Sequence, residues 1–178
     1  KISYVTGGLD RAGAQYTVFS DVQADPDIST VTAGTAMLLD FQPQAVIAFG
    51  GGSAIDAAKA ILFFSAKQRD MHDVLFAAIP TTSGTGSEVS RFAVITDRVK
   101  EVKYPLVDDG LLPDAAVLDP ALTVSVPPVV TADTGIDVFT HAVEAFVSTA
   151  HTDFSDAAAE KAIKLAYHNL LNAYRSPE

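Results

Sequence analysis

The stretch from Ala45 to Ser65 constrains the fold most. A short continuous apolar run, Ala45-Val46-Ile47-Ala48-Phe49, leads into Gly50-Gly51-Gly52-Ser53 and then into Ala54 to Ser65, rich in helix formers. An apolar run without alternation suits a strand covered on both faces, and a tight turn straight into a helix makes a βα unit of a parallel sheet. Ser53 stands where a helix cap is expected. The same order recurs at Leu75 to Ile79, closed by Pro80 and followed by the hydroxyl-rich loop Thr81-Thr82-Ser83-Gly84-Thr85-Gly86-Ser87. Phe92 to Thr96 and Val102 to Val107 read as two extended segments joined by a charged turn, and Ala115 to Leu118 as another buried strand. The fold class is α/β.

The two ends differ from this centre. Lys1 to Thr6 reads as a strand running into Gly7-Gly8, and Gln15 to Val22 as the next extended run, with too few residues between them for a usual crossover. Asp25-Pro26-Asp27 marks a turn, and Thr30 to Leu39 carries helical apolar spacing. After Pro127-Pro128, Thr131 to Ser148 and Asp156 to Tyr174 read as consecutive helices with no strand between them. The expected division is an α/β domain over 1–126 and the start of a helical domain over 127–178. At 178 residues and 48% hydrophobic content, one domain with a helical appendage is the size to expect.

Composition removes several classes of function. Lys and Arg number 12 against 22 Asp and Glu, and a net charge of -10 repels nucleic-acid phosphates and an anionic membrane surface. The chain has no Cys, which excludes disulfides, thiolate metal sites and thiol nucleophiles, and it has no apolar run of membrane-spanning length. A cytoplasmic location fits.

Three features carry chemistry. At Gly50-Gly51-Gly52-Ser53, backbone N–H groups and the positive end of a helix dipole meet without Cβ atoms in the way, which suits a phosphate or diphosphate. A tight βα turn with no ligand has the same sequence, and the spacing is neither that of a G-x-G-x-x-G motif nor of a P-loop. Asp56, one turn on, is better read as a dipole-compatible capping residue than as a ligand. The hydroxyls of the second loop lie where ligands of open α/β sheets collect. Asp137 and His141, at i and i+4, share one helix face, where they are able to hold one divalent cation or simply bond to each other. Glu144 is either a partner for that imidazole or a surface charge. His72, His151 and His168 read as solvent-facing.

Together these residues resemble the metal-containing (iron-dependent, group III) alcohol dehydrogenases. The resemblance is carried by Gly50 to Lys59, Ile79 to Val89, Lys103-Tyr104-Pro105 and Thr134 to Ala145, in the family's order. The short link between Lys59 and Ile79 and the stretch Ser125-Val126-Pro127-Pro128 look most like 1-propanol dehydrogenases of propanediol-utilisation microcompartments.

The resemblance implies a dehydroquinate-synthase-like nucleotide-binding α/β domain followed by an all-α domain, with a homodimer as the assembly. It implies that Gly51, Gly52 and Ser53 hold the diphosphate of NAD. Thr81, Thr82, Thr85 and Ser87 would contact the phosphates and nicotinamide riboside, and Lys103 a ribose hydroxyl. Asp137 and His141 would be catalytic as two of four ligands to Fe²⁺ or Zn²⁺, acting on a small alcohol or aldehyde. The family's other two ligands are histidines expected past residue 178, so half of the metal site is expected within the chain. The family's acidic residue after its first strand is not found where Thr6 meets Gly7, which points to residues absent on that side. Two other readings stand beside it: a dinucleotide-binding fragment without catalysis, favoured for these 178 residues taken alone, and a glycerol-type polyol dehydrogenase, which fits the glycine turn but fits Thr134 to Ala145 less well.

Overall fold

A computed structural model describes residues 1–71 and 73–176 in two compact units, one of residues 1–80 and 86–119 and the other of 81–85 and 120–178. The chain passes from the first unit to the second at Asp119–Pro120, and the loop Thr81–Thr85 groups with the helices. His72 lies outside the described residues.

The first unit is built on a parallel sheet of order β1 (Ala45–Gly50), β2 (Leu75–Pro80) and β5 (Ala115–Ala116). β1 and β2 pair in one register, from Ala45 opposite Leu75 to Gly50 opposite Pro80, so both strands end level. β3 (Phe92–Asp97) and β4 (Val102–Val107) form the expected antiparallel pair. The charged turn between them is held by Asp97 Oδ1, which accepts the N–H groups of Val99 and Lys100 at 3.0 Å each. β5 is shorter and more exposed than expected: it pairs over two residues at the sheet edge, and Leu118 is 65% exposed.

α2 (Ile28–Phe41) starts where Asp27 accepts the Thr30 N–H at 2.9 Å, and it ends at Gln42 in a left-handed conformation. It packs with α3 (Gly52–Ala66) over a core of Val31, Leu38, Ala48, Ile55, Ala60, Phe76, Ala78 and Ile95. The helix cap moves back from Ser53 to Gly51, because the helix already begins at Gly52.

The expected first strand is instead a helix, α1 (Ser3–Arg11). Its apolar residues Val5 and Leu9, with Ile2 at the N-cap, recur at helical spacing and line a cavity of about 410 Å³ with Phe19 and Ile47, while Tyr4 stacks on Phe49 with ring centroids 6.3 Å apart. That one-sided packing outweighs the strand preference of Tyr4, Val5 and Thr6. The run Gln15–Val22 carries no assigned strand pairing.

In the second unit, α4 (Pro128–Val147) opens with Pro at its first position, where the missing N–H costs no intrahelical bond. α5 (Asp153–Arg175) opens with a capping box between Thr152 and Ser155. The pair packs closely where Gly135 meets Leu170. No helix of the described residues is long and apolar enough to cross a membrane.

Candidate dinucleotide and metal site

The glycine turn is the candidate diphosphate-binding element of the first unit. Gly50 has φ +157°, and a Cβ there would stand 2.6 Å from Ala54 Cβ, so only glycine lets β1 turn this directly into α3. Ala54 N–H and Ile55 N–H both bond to Gly51 C=O, which leaves the N–H groups of Gly52 and Ser53 ahead of the first intrahelical bonds, at the positive end of the helix. The Ser53 hydroxyl accepts the backbone N–H of Asp25 at 3.3 Å. The Asp25 carboxylate in turn accepts from Lys103 Nζ at 2.7 Å. A residue that sequence reasoning passed over therefore brings Ser53 and Lys103 together, across 28 and 78 positions of chain.

Two further side chains of α3 fix the segment after the hydroxyl loop. Asp56 is not a cap. Its Oδ1 accepts from the Ser87 hydroxyl at 2.5 Å and its Oδ2 from the Val94 N–H at 3.0 Å. Ser87 is 5% exposed and its hydroxyl donates to Asp56, which ties the segment after the loop to α3. Lys59 is fully buried, and its ammonium donates to Ser90 O at 2.6 Å and Phe92 O at 2.8 Å. Burial pushes its pKa down.

In the second unit the loop Thr81–Thr85 lies against α4. A Cβ on Gly84 would stand 2.5 Å from Thr134 Cβ and 2.9 Å from Thr134 O, so the loop rests directly on the helix backbone. Thr81 and Thr82 are half-buried and Thr85 is exposed. Asp137 follows Thr134 by one helical turn, and His141 follows Asp137 by another. His141 Nε2 and Asp137 Oδ1 are 3.6 Å apart on one exposed face. Glu144 is exposed. His151 pairs with Asp156 Oδ2 at 2.9 Å, and His168 lies edge-on to Tyr167 on an exposed face, so neither joins Asp137 and His141.

Comparison with known proteins decides the family. Residues 2–120 match the family model "Iron-containing alcohol dehydrogenase", and residues 131–178 match "Fe-containing alcohol dehydrogenase family, C-terminal". The chain belongs to the iron-containing alcohol dehydrogenases. It is similar to the 1-propanol dehydrogenase PduQ of Salmonella typhimurium, 55% identical over 91% of this chain and 44% of that protein. It is also similar to PduQ of Citrobacter freundii, 54% identical over 86% of this chain and 41% of that protein. A crystal structure of sulfoacetaldehyde reductase from Bifidobacterium kashiwanohense in complex with NAD⁺ superposes with a TM-score of 0.87, at 36% identity over 99% of this chain and 52% of that one. The chain thus spans less than half the length of these curated relatives.

The metal that the family name carries is compatible with the donors present. Two ligands each about 2.1 Å from one ion at a tetrahedral angle stand about 3.4 Å apart. The observed 3.6 Å between a hard carboxylate oxygen and an imidazole nitrogen fits that spacing and suits Fe²⁺ or Zn²⁺. No group of three or more metal-binding side chains occurs among the described residues of this iron-containing alcohol dehydrogenase chain. Asp137 and His141 are a pair of candidate donors.

Proposed function

We propose that the chain is the cofactor-binding portion of an NAD-dependent, metal-dependent oxidoreductase that interconverts a short-chain primary alcohol, of the propanol class, with its aldehyde. The observation that carries this reading is the seating of Gly84 on Thr134, which sets the hydroxyl loop one helical turn from Asp137 and two from His141 in one compact unit. The likeness to the two PduQ proteins supports the alcohol class, and the NAD⁺-bound reductase supports the dinucleotide.

In this mechanism the N–H groups of Gly52 and Ser53 donate to the diphosphate, with the α3 dipole favouring its charge. Thr81, Thr82 and Thr85 offer hydroxyls to the phosphates and the nicotinamide riboside, and Lys103 donates to a ribose hydroxyl. Asp137 and His141 would be ligands of the divalent ion. When bound, the ion supplies Lewis-acid polarisation of the substrate oxygen, and NAD supplies the hydride acceptor. In the division proposed, 1–126 supplies the nucleotide domain and 127–178 opens a helical metal-binding domain. A cytoplasmic homodimer working beside other enzymes of a bacterial microcompartment extends the same reading, by resemblance to the family and likeness to the two PduQ proteins.

For these 178 residues by themselves, the two-donor half-site favours dinucleotide binding without turnover, since two ligands on one helix hold a divalent ion weakly. Calorimetric titration with NAD, paired with metal analysis of the purified chain, tests both statements. Saturable NAD binding without stoichiometric metal is expected. Absence of NAD binding refutes the cofactor reading, and tight stoichiometric metal refutes the half-site.

A further inference from the structure

We propose that Asp25 is a positioning residue of the cofactor site, holding the Lys103 ammonium beside the N-terminus of α3. This inference rests on the dinucleotide reading above. Asp25 is one of three non-glycine residues among those described with a positive φ, at 54°. Its backbone is pinned on both sides, the N–H by Ser53 Oγ at 3.3 Å and the carbonyl by Arg98 Nη2 at 3.3 Å. Arg98 is itself fixed by Asp27 at 2.8 Å.

So constrained, Asp25 directs its carboxylate to Lys103 Nζ at 2.7 Å, with both side chains 58% exposed. A pair this exposed contributes little to folding, so stability does not account for the strained backbone that presents it. A lysine ammonium has three donors. One is used on Asp25, which leaves two for ribose hydroxyls and removes much of the freedom of a long side chain before the ligand arrives.

The test is calorimetric titration of NAD into the wild-type chain, Asp25→Asn, Lys103→Met and the double variant, with a melting temperature for each. Asparagine tolerates the left-handed backbone, so the substitution removes only the charge. Asp25→Asn is expected to weaken NAD binding about fivefold to tenfold, and Lys103→Met at least as much. The double variant should be no weaker than Lys103→Met, because Asp25 acts through the lysine. Melting temperatures should stay within about two degrees of wild type.

Unchanged or tighter binding by Asp25→Asn, or additive losses in the double variant, would overturn the proposal. So would a loss of affinity that tracks a fall in melting temperature, since that is a fold role. Wild-type protein that binds no NAD removes the dinucleotide reading and this inference together, whereas a binding wild type with an inert Asp25→Asn removes this inference alone.

Discussion

Gly84→Ala is the substitution with the most specific expected outcome. Gly84 does not lie in the left-handed region, so alanine accepts its backbone and the effect is purely steric. The new Cβ would meet Thr134 Cβ at 2.5 Å, Thr134 O at 2.9 Å and Thr134 Cα at 3.0 Å. Carbon atoms rest about 3.5–4.0 Å apart, so the surfaces must separate by about 1 Å or more. The carbonyl oxygen and Cα of Thr134 belong to the backbone of α4 and cannot rotate away, so the loop Thr81–Thr85 must lift. Overpacking of this size costs about 1–3 kcal/mol of stability. A displacement of about 1 Å also takes hydroxyls out of hydrogen-bonding range, which should lower NAD affinity about tenfold to a hundredfold. Calorimetry and a thermal melt read the two effects separately. Thr134→Gly in the same chain should restore only part of the loss, because it removes the Thr134 side chain and leaves the helix backbone in the way. A Gly84→Ala chain with wild-type NAD affinity would refute the claim that this seating places the loop.

Three other expectations follow from the geometry. Lys59→Met keeps the volume but leaves the carbonyls of Ser90 and Phe92 without their donor, and should cost about 1–3 kcal/mol by denaturant unfolding; an unchanged midpoint contradicts it. Asp27 is held well below the usual carboxylate range by the Ser29 hydroxyl, then the Thr30 N–H and Arg98. A depressed carboxylate stabilises fully above its unfolded pKa of about 3.9 and loses that contribution as pH falls through the folded value. Asp27→Asn should therefore lower the melting temperature near neutral pH and show a smaller further drop in acid than wild type; parallel pH profiles would refute this. In a chain extended to the length of its relatives, His141→Ala should abolish metal binding and turnover while NAD affinity stays close to wild type. Equal loss of NAD affinity would make His141 a structural residue.

What the sequence discloses is what local order determines. β1, the glycine turn, α3 and β2 lie in one continuous stretch whose apolar runs and glycines each point to one conformation, and the i, i+4 spacing of Asp137 and His141 follows from helix geometry alone. Asp25 is not legible, because its partners Ser53 and Lys103 meet it only after the chain has folded. Lys59 reads as the polar face of a helix until its three-dimensional neighbours are known. Lys1 to Thr6 misleads because strand-favouring residues also satisfy a helical period when Ile2, Val5 and Leu9 have a cavity wall to cover. Ser87 shows the same limit within a motif: one hydroxyl of the loop is turned inward by Asp56, which lies on another element.

The level ends of β1 and β2 have a consequence for how this architecture tolerates change. Gly50 and Pro80 are held opposite each other by ladder register, a spacing of about 4.8 Å set by the backbone and indifferent to side-chain identity. Residues added between Ala66 and Leu75 lengthen a connection and leave that pair where it is. A single residue added inside either strand would slide one end by about 3.3 Å and turn every following side chain to the opposite face. Length variation is thus tolerated in the connection, while the two strand ends keep their spacing as a fixed gauge from which both loops start.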